Sequence, residues 1–461
     1  MSGNGQQSLG VLEFYHNSTI LIVGGTGFLG QILLEKILRS LQPKKVYLLI
    51  REKRGQTVDQ RMDELLSGRL FNKVRLTSLK EKLRPLEVDF TKDNLSLSDD
   101  QREELANEVD VVFYLLASVH FNQRLDRALQ INLEYARRVY SLSFQHLKAV
   151  VHVSTMYANS DQRMIEEKIY GEEIFGGYQN LKRILDELTP SDIKQITPHI
   201  LRGLPNTYTF SKKCAELMVQ EEFGDLPFGI FRPPIISSSY QDPVVGWTNN
   251  LNGFGAFVSG IYTGELRILP IDVEKRPFIA PVDYCANAML CCAVDLHRRR
   301  DQYSSFVPVY NYAFDNPQLT WGRFFNFLMD GLPPVQRYVN GYLLMRKTKS
   351  PKASQLCYSI RRLEGLVSDV FARLLRGDQT KHCLKVAEQS IWYAESMKFF
   401  SLNDWQLQND NFCRVLDALD STERQTFGCD LRQVDWKAHV TSIAPGVIEF
   451  MEKAPDSKRG T

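Results

Sequence analysis

The stretch TILIVGGTGFLG, from Thr19 to Gly30, joins an apolar run to a set of glycines. The run is rich in β-branched residues and predicts a strand, whereas residues 31–39 have the apolar spacing of a helix. Gly24, Gly27 and Gly30 allow the chain to turn tightly, to approach a pyrophosphate closely and to aim a helix N-terminus at its charge. The stretch therefore predicts a nucleotide site, formed by Gly24, Gly25, Thr26, Gly27, Phe28, Leu29 and Gly30.

Apolar runs recur after this turn, with helical patterns between them. The predicted strands are residues 45–50, 86–90, 109–117 and 149–155, and the predicted helices include residues 98–107 and 125–145. The run at 109–117 is almost continuously apolar, as in strands that are buried on both faces of a parallel sheet. The alternation predicts an α/β fold, a Rossmann-type doubly wound parallel sheet with ligands at the carboxyl ends of its strands.

Two arginines after the second predicted strand, Arg51 and Arg54, bear on the choice of cofactor. A carboxylate in this region bonds the ribose hydroxyls of NAD, whereas an arginine accommodates the 2′-phosphate of NADP. The sequence therefore favours NADP. The alternative is that both arginines are solvated loop charges.

The composition is that of a globular protein: 43% of the 461 residues are hydrophobic and 24% are charged. A formal net charge of +2 gives no reason to expect a nucleic-acid partner. The eight cysteines lack metal-ligand spacing and are expected to be reduced thiols, with no metal site. We expect no signal peptide and no membrane-spanning helix, because no apolar run approaches about 18 residues. These features predict a cytosol-facing protein with at most peripheral membrane contact.

Tyr208 and Lys212 form a Tyr-x-x-x-Lys pair in a predicted helix that runs through Met218. This spacing places the phenol and the ammonium on one helix face, where the lysine is expected to lower the pKa of Tyr208 and make it a proton donor. Ser154 and Thr155 end the fifth predicted strand, where a hydroxyl can bond a carbonyl oxygen. The alternatives are a surface pair and a hydroxyl that caps the following turn.

Together with the glycine turn, these motifs resemble the fatty acyl-CoA reductases of the extended short-chain dehydrogenase/reductase superfamily. The resemblance also rests on residues 151–157, 205–212, 231–234, 250–253 and 281–284, and on residues 399–405 and 410–411, which resemble the C-terminal domain of that family. It therefore spans nearly the whole chain.

The resemblance implies roles for individual residues. Tyr208 and Lys212 would be catalytic with Thr155, or with Ser154 as the alternative hydroxyl, and Asn132 resembles the asparagine that helps to place the lysine. The same two side chains would contact the cofactor, together with residues near the ends of other strands, which are Asp89, Ala117 and Pro233. NADPH would deliver a hydride to the thioester carbonyl of a long-chain acyl-CoA, and a second NADPH would reduce the resulting aldehyde to a primary fatty alcohol.

Two other functions remain as alternatives. One is a related reductase that acts on another lipid carbonyl, such as a sterol or a free aldehyde. The other is a catalytically inactive protein of the same fold that binds and senses the cofactor. Members of the family act at peroxisomal or endoplasmic-reticulum membranes, and the resemblance does not choose between them.

We predict two domains, an NADP-binding reductase domain with its substrate portion over 14–330 and a helical domain over 335–454. Residues 337–385 contain eleven Lys and Arg against three Asp and Glu. Apolar residues recur there at helical spacing, namely Leu363, Leu366, Val367, Val370, Phe371, Leu374 and Leu375. Three interpretations stay open: a core-packing helix with a solvated basic face, a helix in a membrane interface, and a basic surface for the phosphates of CoA.

Overall fold

A computed structural model of the protein describes residues 9–52, 55–74, 80–171, 174, 176–303, 306–316, 318–376 and 383–453. The chain forms two compact units, each built from separate segments. The first contains the described residues up to Pro234, together with Ala280–Phe314 and Gln406–Leu431. The second contains Ile235–Ile279, Asp315–Trp405 and the described residues from Arg432 onward. Residues 406–431, which the sequence places in the helical C-terminal part, thus belong to the first unit.

Strands occur in both units. Their bounds are β1 Thr19–Val23, β2 Lys45–Ile50, β3 Leu83–Glu87, β4 Val111–Tyr114, β5 Ala149–Val153, β6 Met164–Ile165, β7 Phe228–Arg232, β8 Ile235–Ser237, β9 Ile268–Pro270, β10 Ile279–Pro281, β11 Val309–Asn311, β12 Arg346–Thr348 and β13 Gln406–Leu407. Seven of them form the parallel sheet of the first unit, in the order β11-β7-β5-β4-β1-β2-β3. The predicted doubly wound sheet is therefore confirmed, and its order reverses beside β1, where ligands bind in such folds.

Helices connect these strands and make up most of the second unit. Their bounds are α1 Val11–Tyr15, α2 Phe28–Ser40, α3 Val58–Leu66, α4 Asp99–Glu108, α5 Leu125–Leu129, α6 Tyr135–Tyr140, α7 Tyr178–Asp186, α8 Pro190–Ile200, α9 Thr207–Phe223, α10 Phe254–Tyr262, α11 Val282–Arg298, α12 Trp321–Asp330, α13 Pro334–Gln336, α14 Pro351–Arg376, α15 Cys383–Leu402, α16 Asp410–Asp417, α17 Ser421–Thr426 and α18 Trp436–Lys453. π-Helical segments span Gln130–Glu134 and Arg337–Leu344. Short 3₁₀ turns lie at Arg69–Phe71, Lys80–Lys82, Met156–Asn159, Arg300–Tyr303 and Leu431–Gln433.

Three predicted elements differ from the observed ones, among them the strand predicted over 109–117, which spans only Val111–Tyr114. The third strand was expected at 86–90 but ends at Glu87, because the Asp89 side chain accepts hydrogen bonds from Thr91 and starts a turn. The predicted helix over 125–145 is interrupted by the π-helical segment and ends at Tyr140. There the Ser141 hydroxyl bonds back to the Arg137 carbonyl, and Ser143 adopts a φ of 56°.

The sheet is buried on both faces, as the apolar runs predict. Every residue of β1, β4 and β5 is buried. α2 packs against α11, and α11 also contacts β5 and β7. α9 contacts the π-helical segment at Gln130–Glu134 and the turn at Met156–Asn159, so its first turns lie at the carboxyl end of β5. This packing places the predicted site residues along one edge of the sheet.

The second unit has its own core, formed mainly by α10, α12, α14, α15 and α18 with β9 and β12. Phe254, Phe324 and Phe325 are buried in it. One of the three interpretations of the basic region, the core-packing helix, is wrong for the four of the seven predicted apolar residues that have described side chains, because these are exposed. They are Leu363, Leu366, Val367 and Val370. α14 packs into the core through Tyr358 instead. Phe371, Leu374 and Leu375 lie outside the described side chains.

The length and hydropathy of the helices bear on membrane insertion. Across the described ranges, none of them combines enough residues with enough apolar character to traverse a bilayer.

Candidate active site

The glycine turn joins β1 to α2 and has little room for side chains. Gly24 has a φ of +93°, and a Cβ there would lie 2.8 Å from the backbone nitrogen of Leu116. A Cβ on Gly30 would lie 2.2 Å from the carbonyl oxygen of Gly24, so only glycine lets α2 approach the turn this closely. α2 begins after Gly27, and its first amide groups lack intrahelical acceptors. The turn therefore fits the pyrophosphate of a dinucleotide cofactor.

Next to the turn, two arginines lie close together. The Arg61 side chain on α3 donates hydrogen bonds to the Arg51 carbonyl oxygen and, at 3.1 Å, to the Thr26 hydroxyl. Partial burial and the charge of Arg51 lower the pKa of Arg61. Two like charges at one place favour an anionic ligand between them. The sequence pointed to Arg51 but missed Arg61, whose only signal was a basic residue on the helix after β2. Arg54 lies outside the described residues.

Three other predicted cofactor residues follow the carboxyl ends of parallel strands. Asp89 lies beyond β3, and its hydrogen bonds from Thr91 hold its pKa below the usual value. Ala117 follows β4 and is half-buried. Pro233 follows β7, where its carbonyl oxygen accepts a hydrogen bond from the Met156 amide at 3.0 Å. All three thus lie at the edge of the sheet to which β1 delivers the glycine turn.

The first turns of α9 bring the Tyr-x-x-x-Lys pair to the end of β5. The Asn206 side chain caps the helix by accepting a hydrogen bond from the Thr209 amide at 2.9 Å. The Thr155 hydroxyl lies beside the Tyr208 phenol, and it also caps the following turn by accepting a hydrogen bond from the Tyr157 amide at 3.3 Å. Lys212 is almost fully buried, and its Nζ donates to the Val153 carbonyl oxygen at 2.7 Å. The tyrosine, the lysine and a strand-end hydroxyl therefore form one cluster.

The electrostatics of this cluster differ from the expectation in one respect. Burial raises the pKa of Tyr208 to about 12, against the lowering effect of the nearby Thr155 hydroxyl. Burial also lowers the pKa of Lys212 to about 8, although the nearby Glu216 carboxylate opposes this shift. The prediction that Lys212 lowers the pKa of Tyr208 is therefore wrong. Desolvation has the largest effect on the phenol, and the Lys212 ammonium bonds the Val153 carbonyl oxygen instead of the phenol.

Ser154 has different partners from its neighbour. Its hydroxyl donates to the Glu216 carboxylate, which is fully buried and paired with Arg232 at 2.6 Å. The side chains of Glu216 and Lys212 lie one helical turn apart, so α9 holds two successive residues of the β5 end, Val153 through Lys212 and Ser154 through Glu216. The sequence missed Glu216, and only its spacing of four residues from Lys212 could have indicated it.

Asn132 is buried in the π-helical segment and does not bond the lysine itself. Its side chain accepts from the Ser118 amide at 2.7 Å and donates to the Ser118 carbonyl at 3.1 Å. It also donates to the Ser211 hydroxyl at 2.8 Å. Asn132 thus joins the segment after β4 to α9 at the residue next to Lys212, which fixes where that lysine lies.

Comparisons with known proteins agree with this geometry. The male sterility protein family matches in two parts, its NAD-binding part over residues 22–289 and its Sterile part over residues 361–454. Fatty acyl-CoA reductase wat from Drosophila melanogaster is 32% identical over 92% of this chain and 82% of its own length. Fatty acyl-CoA reductase 1 from Rattus norvegicus is 29% identical over 95% of this chain and 85% of its own. This chain belongs to the fatty acyl-CoA reductase family.

Solved structures support the fold of this reductase. The terminal R domain of the myxalamid PKS-NRPS pathway superposes with a TM-score of 0.61 at 19% identity, and covers 96% of this chain and 93% of its own. The reductase domain of a nonribosomal peptide synthetase from Mycobacterium tuberculosis gives a TM-score of 0.62 at 15% identity, over 95% and 92% of the two chains. At these identities the likeness concerns the fold alone. The predicted family and the nicotinamide-binding reductase fold are both confirmed.

Proposed function

We propose that this chain reduces long-chain fatty acyl-CoA to a primary fatty alcohol through an aldehyde, with NADPH as the reductant. The observation that carries the proposal is the cluster of Tyr208, Thr155 and Lys212 at the same sheet edge as the glycine turn. Binding a dinucleotide does not by itself require a phenol that lies beside a strand-end hydroxyl. The cluster therefore favours an enzyme over a protein that only senses the cofactor.

A bound NADPH would supply hydride. The Thr155 hydroxyl holds the carbonyl oxygen of the thioester and stabilises the negative charge that develops there. The Tyr208 phenol donates its proton to that oxygen, and the resulting hemithioacetal loses CoA as a thiol when its C–S bond breaks. A second NADPH would supply the hydride that reduces the remaining aldehyde, and Tyr208, reprotonated from solvent, donates the second proton. Lys212, fixed on Val153, supplies positive charge beside the reacting oxygen.

Selection of NADPH over NADH is assigned to Arg51 and Arg61. A 2′-phosphate between these guanidinium groups would relieve their repulsion and accept charge-assisted hydrogen bonds from both. Arg54 remains a third candidate from the sequence. The lowered pKa of Arg61 supports this assignment, because an anion there would reverse the unfavourable effect of Arg51.

The proposed activity is tested with purified protein, NADPH and acyl-CoAs of 16 and 18 carbons, with identification of the lipid product. We expect fatty alcohol, and we expect Tyr208→Phe to reduce NADPH oxidation by about 10²-fold or more while the fold stays intact by circular dichroism. If NADPH binds and no acyl-CoA is reduced, the cofactor-sensing alternative is favoured. Turnover of a sterol or a free aldehyde alone would favour the other reductase.

We also propose that the enzyme faces the cytosol and makes peripheral contact with a membrane, of peroxisomes or of the endoplasmic reticulum. The basic composition of residues 337–385 supports this, because such segments are attracted to anionic lipid headgroups. Long-chain substrates and fatty alcohol products partition into bilayers, so contact with a membrane would shorten their path to and from the site.

A further inference from the structure

Helix α14, Pro351–Arg376, buries a mainly polar face and exposes an apolar face, which is the reverse of an ordinary surface helix. The buried face is formed by Ser354, Tyr358, Arg361 and Gly365, at spacings of four, three and four residues. The opposite face carries five exposed apolar residues, called here the outer stripe. They are Leu356, Leu363, Leu366, Val367 and Val370, which are between 44% and 63% exposed.

The outer stripe is continuous along the helix. Leu356, Leu363 and Val370 are seven residues apart and nearly align, and Leu366 and Val367 lie on either side of that line, so the five cover an arc of about 100°. A surface helix of a soluble protein normally turns its apolar stripe to the core. Contiguous apolar surface of this kind marks an interaction site.

The orientation of α14 is fixed by its inner face. A Cβ on Gly365 would lie 2.9 Å from the Cα of Leu384, so α14 and α15 are in backbone contact there. The Asp369 carboxylate accepts hydrogen bonds from the backbone amides of Cys383 and Leu384 at 2.6 and 3.1 Å, which caps the start of α15. Turning α14 to bury the outer stripe would break these contacts, so the stripe is an outward surface of the second unit.

A basic run immediately precedes the helix. Arg346, Lys347, Lys349 and Lys352 are exposed and lie within seven residues that contain no acidic side chain. Two of them have partners elsewhere in the unit: the Lys347 ammonium lies 3.8 Å from the centroid of the Phe325 ring, and Lys349 pairs with Asp272 at 3.7 Å. Lys352 also falls on the side of α14 that carries the outer stripe, by its spacing of eleven residues from Leu363. An apolar stripe next to clustered cations is complementary to a surface that is anionic outside and apolar beneath.

We propose that the outer stripe and the basic run dock the second unit onto a bilayer that contains anionic lipid. α14 lies in the plane of the interface, its leucines and valines reach the acyl chains, and the cations of residues 346–352 contact the headgroups. The inference deepens the proposed membrane contact and rests on it, but it assigns the contact to these residues rather than to basic composition alone.

A second copy of the chain fits this surface less well. In a symmetric dimer the same patch meets itself. Parallel pairing of α14 would bring the two basic runs together, whereas an anionic bilayer neutralises them.

The test is co-sedimentation of the purified chain with vesicles of neutral phosphatidylcholine, with and without about one quarter phosphatidylserine. We expect binding to the anionic vesicles that weakens as salt is added. The triple variant Leu356→Gln/Leu363→Gln/Val370→Gln should lower the partition coefficient about tenfold or more, because three apolar side chains no longer insert. The matched control Leu12→Gln/Ile184→Gln/Val245→Gln changes three exposed apolar residues elsewhere and should bind like the unaltered chain.

Activity toward a short, water-soluble acyl-CoA without vesicles separates this inference from the proposed function. If the triple variant keeps that activity but loses vesicle binding, the docking surface is supported. If both triple variants bind vesicles equally, or if the unaltered chain does not bind, the assignment is overturned whatever the activity. A concentration-dependent dimer by light scattering that only the outer-stripe variant abolishes would also overturn it in favour of self-association.

Discussion

Ser154 and Thr155 are adjacent hydroxyls with different surroundings, since consecutive side chains of an extended segment point to opposite sides. The Thr155 hydroxyl lies beside the Tyr208 phenol, whereas the Ser154 hydroxyl donates to the buried Glu216. The sequence alone left both as candidates. The geometry favours Thr155 as the group that contacts substrate and gives Ser154 a part in holding the end of β5.

We expect Thr155→Ala to lower kcat by about 10²-fold, the usual cost of removing one donor to a developing oxyanion. Ser154→Ala should lower kcat much less and should instead lower the midpoint of thermal unfolding, because it leaves a bond to Glu216 unmade. The measurement is steady-state NADPH oxidation with each variant, alongside thermal melts. Equal losses of kcat in the two variants would contradict the assignment.

Lys212 gives the site a dependence on pH. Its pKa of about 8 means that the ammonium loses its proton as the pH rises through that value, so we expect kcat/KM to fall on the alkaline side of about pH 8. A profile of kcat/KM between pH 6 and 10 checks this. A flat profile from pH 7 to 9.5 would show that the charge of Lys212 is not needed or that its pKa lies higher.

Arg61 should decide cofactor choice together with Arg51. Arg61→Ala is expected to raise the KM for NADPH about tenfold and to leave the KM for NADH nearly unchanged, because only NADPH carries the 2′-phosphate. The matched control is Arg183→Ala on α7, an exposed arginine of the same unit whose side chain bonds Asn180. Equal effects on the two cofactors would show that Arg61 acts through the fold of α3 instead.

At the scale of elements, α9 positions three residues of the site. Its capped start presents Tyr208, its next turn fixes Val153 through Lys212, and the turn after that fixes Ser154 through Glu216. The periodicity of a helix predicts that these three side chains share a face. It does not predict that the facing element is the end of β5, because that pairing joins segments more than fifty residues apart.

α18 of the second unit carries a buried histidine that links folding to pH. His439 is fully buried, its Nε2 is hydrogen-bonded to the Ser237 hydroxyl at 2.8 Å, and burial lowers its pKa to about 3. Below about pH 6.5 the unfolded chain binds a proton that the folded chain rejects until about pH 3. Stability from this group is therefore present at neutral pH and is lost as the pH falls through that window.

The expected loss in the free energy of unfolding between pH 7 and pH 5 is about 2 kcal/mol. The His439→Gln variant lacks this titrating group, so its free energy of unfolding should fall by correspondingly less over the same pH interval. Denaturant unfolding at the two pH values measures the difference. His146→Gln, at an exposed histidine, serves as the control and should lose as much as the unaltered chain.

At the scale of the whole molecule, the chain passes more than once between its two compact units. The first unit takes residues from three separate stretches, among them Gln406–Leu431 near the C-terminal end. β13 in that stretch pairs with β6, and Asn411 in α16 donates its side-chain amide to the Val309 carbonyl at 2.8 Å. The nucleotide-binding unit is therefore completed by residues that follow the helical segments in sequence.

The proposed reaction predicts a stoichiometry for the whole molecule. Complete reduction of a thioester to an alcohol needs two hydrides, so we expect two molecules of NADPH to be oxidised for each CoA thiol released. Parallel measurement of NADPH absorbance and of free thiol checks the ratio. A ratio of one, with aldehyde as the lipid product, would mean that the chain carries out only the first reduction.

By itself the sequence determined the doubly wound fold, the glycine turn and the Tyr-x-x-x-Lys pair, whereas the family was inferred from a resemblance of motifs along nearly the whole chain. These depend on local periodicity and on residue types at short spacing, which the chain encodes directly. The tertiary structure alone decided which hydroxyl faces Tyr208, that Arg61 joins Arg51, that burial dominates both pKa values in the cluster, and that the apolar stripe of α14 points outward. Each of these follows from contacts between distant segments and from the desolvation they cause, and neither is visible in local sequence.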